Sequence, residues 1–534
     1  MIKRCFLQDA EQQAFFELSC NTQGQEAHIS LSEKIKGEVS ALSFCIEFDQ
    51  PVKAYRDVTY QWCDIAQGGE YVANEHSPKV LVLADGTHVV STRNIGLWSL
   101  GGSNNTLLTW VLNDIQLTPL FQFDHKGAHR FTQTFTTDSY QLGLLFSKDE
   151  VPEFSRSAIP FTPIVCFTDH CDFDTEADLN KQLAFFKEHG ITVTKGFFLH
   201  HYSKRADNAS YEREPGPVTA FKAAGHELAY HSLTQSLRSK EAAREEFSSF
   251  RSPVEPPVNT WIDHGKQPYN YTKLHSSGFS PAQWADNLSA KGIRHLWNYL
   301  DAGQARKGCL NQLNPQHFTI ARLQAHNKTG LFFLFRTILF YHGGEKEIET
   351  YKSISGRIKQ VLQKKKARLI PRLLKDLFST LGYVMSFLVN HKKRHQPFRW
   401  ARFAPYIFTH KVGDKLFYFF QTTEVTDFES VFSPENIDLL IREKGAITVH
   451  CYFSSPLSYQ QGRLFAGGKV SEKNKENIAY LGKKISNREL WNPTLSELIA
   501  HYKKVLEMEY FLDPADNKIK ARNSELPIRY IRHV

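Results

Sequence analysis

An apolar stretch at residues 163–167 runs into Thr168-Asp169-His170-Cys171-Asp172, and Gly225-His226-Glu227-Leu228-Ala229-Tyr230-His231-Ser232 follows after about one β-α-β unit. Carboxylates and imidazoles at the end of a buried strand place acid, base and metal-ligand groups at the carboxyl edge of a sheet, where parallel α/β proteins build their sites. Such groups suit hydrolysis: a divalent ion lowers the pKa of its bound water and polarises a carbonyl, and a neighbouring carboxylate takes the proton. Two later segments add donors. Thr260-Trp261-Ile262-Asp263-His264-Gly265 sets His264 in a loop after a strand, and Gly445-Ala446-Ile447-Thr448-Val449-His450-Cys451-Tyr452-Phe453 carries His450 to a strand end. His226 and His231 do not form a zinc-protease helix, because their five-residue offset misses the i, i+4 spacing, so His226 is expected to pack or hydrogen-bond. The chain holds no G-x-S-x-G elbow, Walker A loop or G-x-G-x-x-G, and Gly343-Gly344-Glu345-Lys346 has the wrong spacing for a phosphate loop.

The elements that must position these groups follow from periodicity. Residues 164–168 read as a strand, 175–189 as a helix with Leu179, Leu183 and Phe186 on one face, and 191–199 as the next strand, which is β-α-β alternation. Asp174 or Thr175 can cap that helix, and Gly190 sits at its C-cap. Further strands are expected at 331–335, 416–421 and 446–453, and helices at 435–444 and 494–507. Before residue 150 the pattern is different. Val80-Leu81-Val82-Leu83 and Thr87-His88-Val89-Val90 flank Asp85-Gly86, a hairpin signature, and 107–112 and 127–136 continue the short alternating runs of a β-sandwich. The division expected is a sandwich-like all-β domain at 1–155, an α/β domain at 160–500 and an extension at 501–534, with the Pro-containing stretch 151–163 as the boundary.

Phe167-Thr168-Asp169-His170-Cys171-Asp172 and Gly225 through Ser232 resemble the first two motifs of the NodB-like polysaccharide deacetylases. The resemblance implies a deformed (β/α) barrel, a divalent metal, with Zn favoured, and removal of acyl groups from amino sugars of a polysaccharide or carrier-linked glycan precursor. It implies His231 as a metal ligand, Asp169 as the catalytic base by register, and Asp172 as the carboxylate ligand, with His170 as the alternative. Gln235 stands where the family has a second histidine, and glutamine is a poor Zn ligand, so His264 is the candidate to complete the set. His450 answers to the family's strand-ending histidine, which protonates the leaving group or stabilises the oxyanion. Phe250-Arg251-Ser252-Pro253 only echoes the family's Arg-x-Pro motif. The Gln235 departure keeps a second function open, a non-catalytic carbohydrate-binding or assembly protein that retains the fold.

At 534 residues, 41% hydrophobic and 13% aromatic, the chain has material for two or three packed domains and is not a disordered one. Eight cysteines without a C-x-x-C pair point to free thiols, and polar residues interrupt the amino terminus before a signal sequence develops, so a cytoplasmic location is expected. Residues 352–402 hold 14 Lys or Arg against the single acid Asp376, a net +13 in a chain whose total is +9. Within this basic helical insertion at about 350–402, residues 377–389 are almost uncharged, yet shorter than the roughly 20 residues that span a bilayer. Either the segment packs on its own domain with a solvated basic face, or it lies on an anionic membrane as an in-plane helix. No nucleic-acid module accompanies the charge.

Overall fold

A computed structural model describes the chain outside residues 9–13, 32–34, 38–41, 66–70, 102–103, 113–120, 125–126, 131–134, 138–139, 205–206, 266, 271–278, 345–346, 348–349, 351–352, 355–356, 359–360, 362–369, 403–405, 413, 458–461 and 523–524. The alternating runs of the first 155 residues form two large antiparallel sheets. One has six strands in the order Ala14–Glu17, Ile2–Gln8, Leu42–Phe48, Asn104–Leu112, Leu97–Gly101 and Tyr71–Ala73. The other has seven, Ser19–Gln23, Glu26–Leu31, Tyr140–Ser147, His88–Ser91, Val80–Leu83, Val52–Arg56 and Trp62–Asp64. Both contribute to one core, in which Phe44, Ile46, Trp98 and Trp110 of the first meet Leu81, Val89 and Phe146 of the second. The hairpin expected around Asp85-Gly86 is present, and Gly86 supplies the left-handed φ of 84° that its turn needs. The segment expected at 127–136 contains the strand Gly127–Arg130 and the start of Phe135–Thr137, and 131–134 lie outside the described residues.

The second half closes into a barrel of seven parallel strands: β1 (Ile164–His170), β2 (Val193–Phe197), β3 (Glu227–His231), β4 (Thr260–Ile262), β5 (His295–Ala305), β6 (Lys415–Val425) and β7 (Ala446–Cys451). Each pairs with its successor, and β7 returns to β1 through the register Ile164↔Ala446 to Asp169↔Cys451. The barrel is irregular at one seam. There β6 and β7 meet at Thr423↔Val449 and Glu424↔His450, while the antiparallel strand Ile407–Val412 flanks the first half of β6. Gln312 bridges the open part of the seam: its Nε2 donates to the Gln421 carbonyl at 2.8 Å and its Oε1 accepts the Thr448 N–H at 3.0 Å. Buried backbone groups must be paired, and one amide side chain here replaces ladder bonds.

Helix α1 (Glu176–His189) starts at a Thr175 capping box with Asp178 and ends at Gly190 with φ 63°, burying Leu179, Phe185 and Phe186. The apolar run at 331–335 is the start of helix α2 (Leu331–Tyr341) and not a strand. Its pattern continues for eleven residues and buries Leu334, Thr337, Ile338 and Leu339, a length and spacing that favour a helix. Helix α3 (Ile370–Val389) and helix α4 (Leu495–Leu506) follow, and Pro434–Arg442 is helical where 435–444 was expected to be.

Sandwich and barrel are tied through the connecting stretch. Val151–Phe154 pairs antiparallel with Ile528–Ile531, and Phe154, Val505, Met508 and Tyr510 share a core with Val90 and Leu145 of the sandwich. The buried Glu153 carboxylate accepts from Arg56 at 2.9 Å and from Arg529 at 2.5 Å. Arg156, 4.2 Å from the Tyr60 ring, donates to the His76 carbonyl of the sandwich at 3.0 Å and to the Lys444 carbonyl beside the barrel at 2.8 Å.

Candidate metal and proton-transfer site

Alternation along β1 sorts its side chains. Val165 and Phe167 join the core beneath the helices, while Ile164 and Cys166 join a second core with Ala229, Ile262, Trp297 and Phe420 inside the barrel. His170 continues the inner set, beside His231 at the end of β3 (ring centroids 4.5 Å), His450 near the end of β7 (4.4 Å) and Trp297 of β5 (5.0 Å). Asp172 follows two residues later. Its Oδ2 lies 2.8 Å from His231 Nε2, and its Oδ1 lies 2.7 Å from His264 Nε2, just past β4. The imidazoles and the Asp172 carboxylate sit at or just past the carboxyl ends of β1, β3, β4 and β7.

His170, Asp172 and His231 each offer a donor atom, and these atoms lie within 4.8 Å of one another in a fully buried setting. Four imidazole nitrogens here are buried with no hydrogen-bond partner: Nδ1 of His170, His231 and His264, and Nε2 of His450. Burial, with the neighbouring imidazoles His450 and His231, pushes His170 well below its ordinary range. Burial likewise lowers His231, against the pull of Asp172. For Asp172, burial is outweighed by His264 and His231, which hold the carboxyl well below its usual value. Neutral imidazoles beside an ionised carboxylate, with nitrogen lone pairs unspent, form a donor set that fits a divalent ion such as Zn²⁺. The grouping differs from the expected Asp172, His231 and His264. His170, the last residue of β1, belongs to the triad; Asp172 reaches it from the turn that follows, closed by the Asp174 N–H on the Cys171 carbonyl, and His264 bonds the second oxygen of Asp172 and orients it.

Asp169, expected as the base, is not brought to the cluster. Being one residue from His170, it faces the helix layer, where its Oδ2 is ion-paired with Lys195 of β2 and its Oδ1 accepts the Phe453 N–H at 2.8 Å. Lys195 is itself fully buried, pairs also with Asp174, and donates to Gln182 Oε1 at 2.9 Å. Burial pushes Asp169 up to about 7 in spite of the Lys195 cation, and Asp174 adds to the rise. With both oxygens engaged, Asp169 anchors β1 to β2. The cation that holds it is Lys195; Arg251 of the Arg-x-Pro echo is exposed.

His450, the expected acid, sits among the cluster rings. Its Nδ1 lies 3.2 Å from Asp301 Oδ2 of β5, and Asp301 Oδ1 accepts from Thr422 Oγ1 at 2.6 Å, which in turn accepts from Trp297 Nε1 at 2.9 Å. Burial opposes the imidazolium, but Asp301, with Glu424 and Asp172 beyond it, prevails and raises His450 above its ordinary value. A register shift in β5 between Trp297 and Asp301, with Tyr299 at φ 60°, re-aims the strand just where Asp301 leaves it. Beside Asp301 opens a cavity of about 210 Å³ lined by Gln304, Arg336, Tyr341, Trp400 and Glu424.

Other singled-out residues have other partners. The Gln235 side-chain oxygen is engaged, accepting from the hydroxyls of Ser203 and Ser236. His226 takes the Val193 N–H at 3.3 Å and packs on Phe221, held near 4 by burial. Glu227 accepts from Thr194, Thr260 and Ser496, fastening the start of α4 to the barrel. Lys195 and Asp301 escaped the sequence reading, although a lysine inside the run Val193-Thr194-Lys195-Gly196-Phe197 and an acid closing Trp297-Asn298-Tyr299-Leu300-Asp301 are both visible signals.

The fold and site define a closed, seven-stranded parallel β/α barrel with a buried His-Asp-His cluster at its carboxyl mouth, coupled to a β-sandwich. No protein-family model and no curated protein matches the chain. Among solved structures it is similar to a glycoside hydrolase family 97 enzyme from Pseudoalteromonas sp. strain K8 (9% identity, 60% of this chain and 64% of that chain, TM-score 0.22). It is also similar to a xylosidase from Aspergillus niger (10%, 56% and 42%, TM-score 0.18) and a β-D-glucuronidase for Dictyoglomus thermophilum (9%, 90% and 68%, TM-score 0.25). The matches thus span less than two thirds of the first two of those chains. Likeness at this level establishes neither a shared fold nor a shared chemistry.

Proposed function

We propose that the chain is a metal-dependent hydrolase that removes acyl groups from amino sugars of a polysaccharide or carrier-linked glycan precursor. The observation that carries this reading is the convergence of His170, Asp172 and His231 with the His450–Asp301 pair at one barrel mouth. A divalent ion held by His170, Asp172 and His231 would supply a water of lowered pKa and polarise the acyl carbonyl. His450, kept protonated by Asp301, donates to the oxyanion or the departing amine. Since Asp169 is engaged by Lys195, His264, bonded to Asp172 and with its Nδ1 unspent, is the group placed to take the proton of the attacking water. Trp297 and Tyr452 flank His170 and exclude bulk water. The neighbouring cavity is smaller than the roughly 300–1,000 Å³ of drug-sized pockets, so it suits one sugar ring, with Trp400 and Tyr341 as stacking faces.

Two observations favour a second reading, a glycan-binding protein without catalysis: the engagement of Asp169 by Lys195 and the engagement of the Gln235 side-chain oxygen by Ser203 and Ser236. One experiment separates them. The purified chain is assayed for bound metal by mass spectrometry and for acetate release from N-acetylated chito-oligosaccharides. Hydrolysis bears metal near one per chain and loses both metal and activity in His231→Ala. A metal-free chain that retains the oligosaccharides without releasing acetate belongs to the second reading.

A further inference from the structure

We propose that helix α3 is a docking surface for an anionic lipid membrane, lying in the plane of the interface, independently of what the barrel mouth catalyses. One face of α3 is held down: Val384 and Phe387 pack with Leu334, Ile338 and Leu339 of α2 and with Phe398. Ile370, Leu374, Phe378, Leu381, Met385 and Val389 recur every three or four residues on another face, and all are exposed. That spacing makes them one continuous row along the helix. The most open are Phe378 at 71% and Val389 at 74%, and the start of the adjoining helix α2 adds Leu331 at 78% and Phe332 at 73%. Single exposed apolar residues are ordinary on a surface, but a row of this length marks an interaction site.

Charge selects the occupant. Exposed Arg372 and Lys375 border the row near one end, and Lys392, Lys393 and Arg394 follow the other. Asp376, the single acid of residues 352–402, is spent in an ion pair with Arg357. Lys364, Lys365 and Lys366 add to the charge by sequence and lie outside the described residues. Two copies meeting through this face would bring two such cationic segments together, which disfavours self-association. An apolar row between basic ends matches acyl chains beneath anionic headgroups. No helix among the described residues is long and apolar enough to cross a membrane, and α3, about 30 Å long, carries Arg372, Lys375 and Asp376 in its first turns, so it lies flat.

The test uses the full chain and sedimentation with vesicles of phosphatidylcholine alone or mixed with phosphatidylglycerol. Binding is expected to the anionic vesicles and to weaken with added salt. Phe378→Asp is expected to weaken it roughly 10- to 100-fold through the lost apolar contact, and Arg372→Gln with Lys375→Gln by about 25-fold, roughly fivefold per charge. All three positions are exposed, so an unchanged melting temperature is expected to accompany the loss. A chain that stays in the supernatant with anionic vesicles overturns the proposal, as does undiminished binding by Phe378→Asp. A wild-type dimer that Phe378→Asp converts to monomer also overturns it, assigning the row to self-association.

Discussion

Lys195→Met isolates the buried charge cluster beneath the site. Methionine keeps most of the side-chain volume and removes the cation, leaving the Asp169 and Asp174 carboxylates facing each other where neither reaches water. Breaking a buried ion pair by deleting one partner costs about 3–5 kcal/mol, a large share of the 5–15 kcal/mol that keeps an ordinary domain folded. Burial already raises Asp169 to about 7 with the lysine present, and without it the carboxyl must rise further. Unfolded aspartate titrates near 4, so a carboxyl raised in the folded state adds no penalty below that pH and a growing one above it. The loss is therefore expected to be large at pH 8 and smaller at pH 5, read by urea unfolding at both. Adding Asp169→Asn and Asp174→Asn to Lys195→Met is expected to recover much of it. A loss at pH 8 below about 1 kcal/mol, the level of surface pairs, or an equal loss at both pH values would refute the argument that Asp169 is an anchor.

Gln312→Ala is expected to cost about 2–5 kcal/mol, since the Gln421 carbonyl and Thr448 N–H lose their partner inside the barrel seam, and urea unfolding reads it. Burial holds His76 and His295 near 3, whereas their unfolded rings titrate near 6.5. Their contribution is intact above pH 6.5 and falls as the solution is acidified, by about 2 kcal/mol each at pH 5, so the melting temperature should drop steeply below pH 6. Asp172→Ala is expected to abolish metal uptake by removing the carboxylate that links His231 and His264, and retention of a stoichiometric ion would place the metal elsewhere.

Much of this arrangement could be read from the chain because strand ends announce themselves: His170 and His231 close β1 and β3, and His450 is the last residue but one of β7, each behind a mainly apolar run. What could not be read is which way a side chain faces when two polar residues adjoin. Asp169 and His170 differ by one position, and that alternation sends one to Lys195 and the other to the cluster, a choice settled by register with β2 and β7. Asp301 depends on a bulge in β5, and bulges have no sequence period. The Leu331 run was ambiguous over five residues because helix and strand share short apolar stretches; burial of Leu334, Ile338 and Leu339 shows the period only over the longer window.

Arg156 and Glu153 give the linker a role beyond connection. Because one guanidinium is shared between carbonyls of both halves and one carboxylate by arginines from segments distant in the chain, severing the protein near residue 155 would leave Arg56 paired with Glu153 in the first fragment but take the Glu153 carboxylate from Arg529 and the His76 carbonyl from Arg156 in the second. Halves produced separately would reassemble poorly, and a chimera that exchanges the sandwich would have to carry residues 151–156 and 528–531 with it as a single cassette.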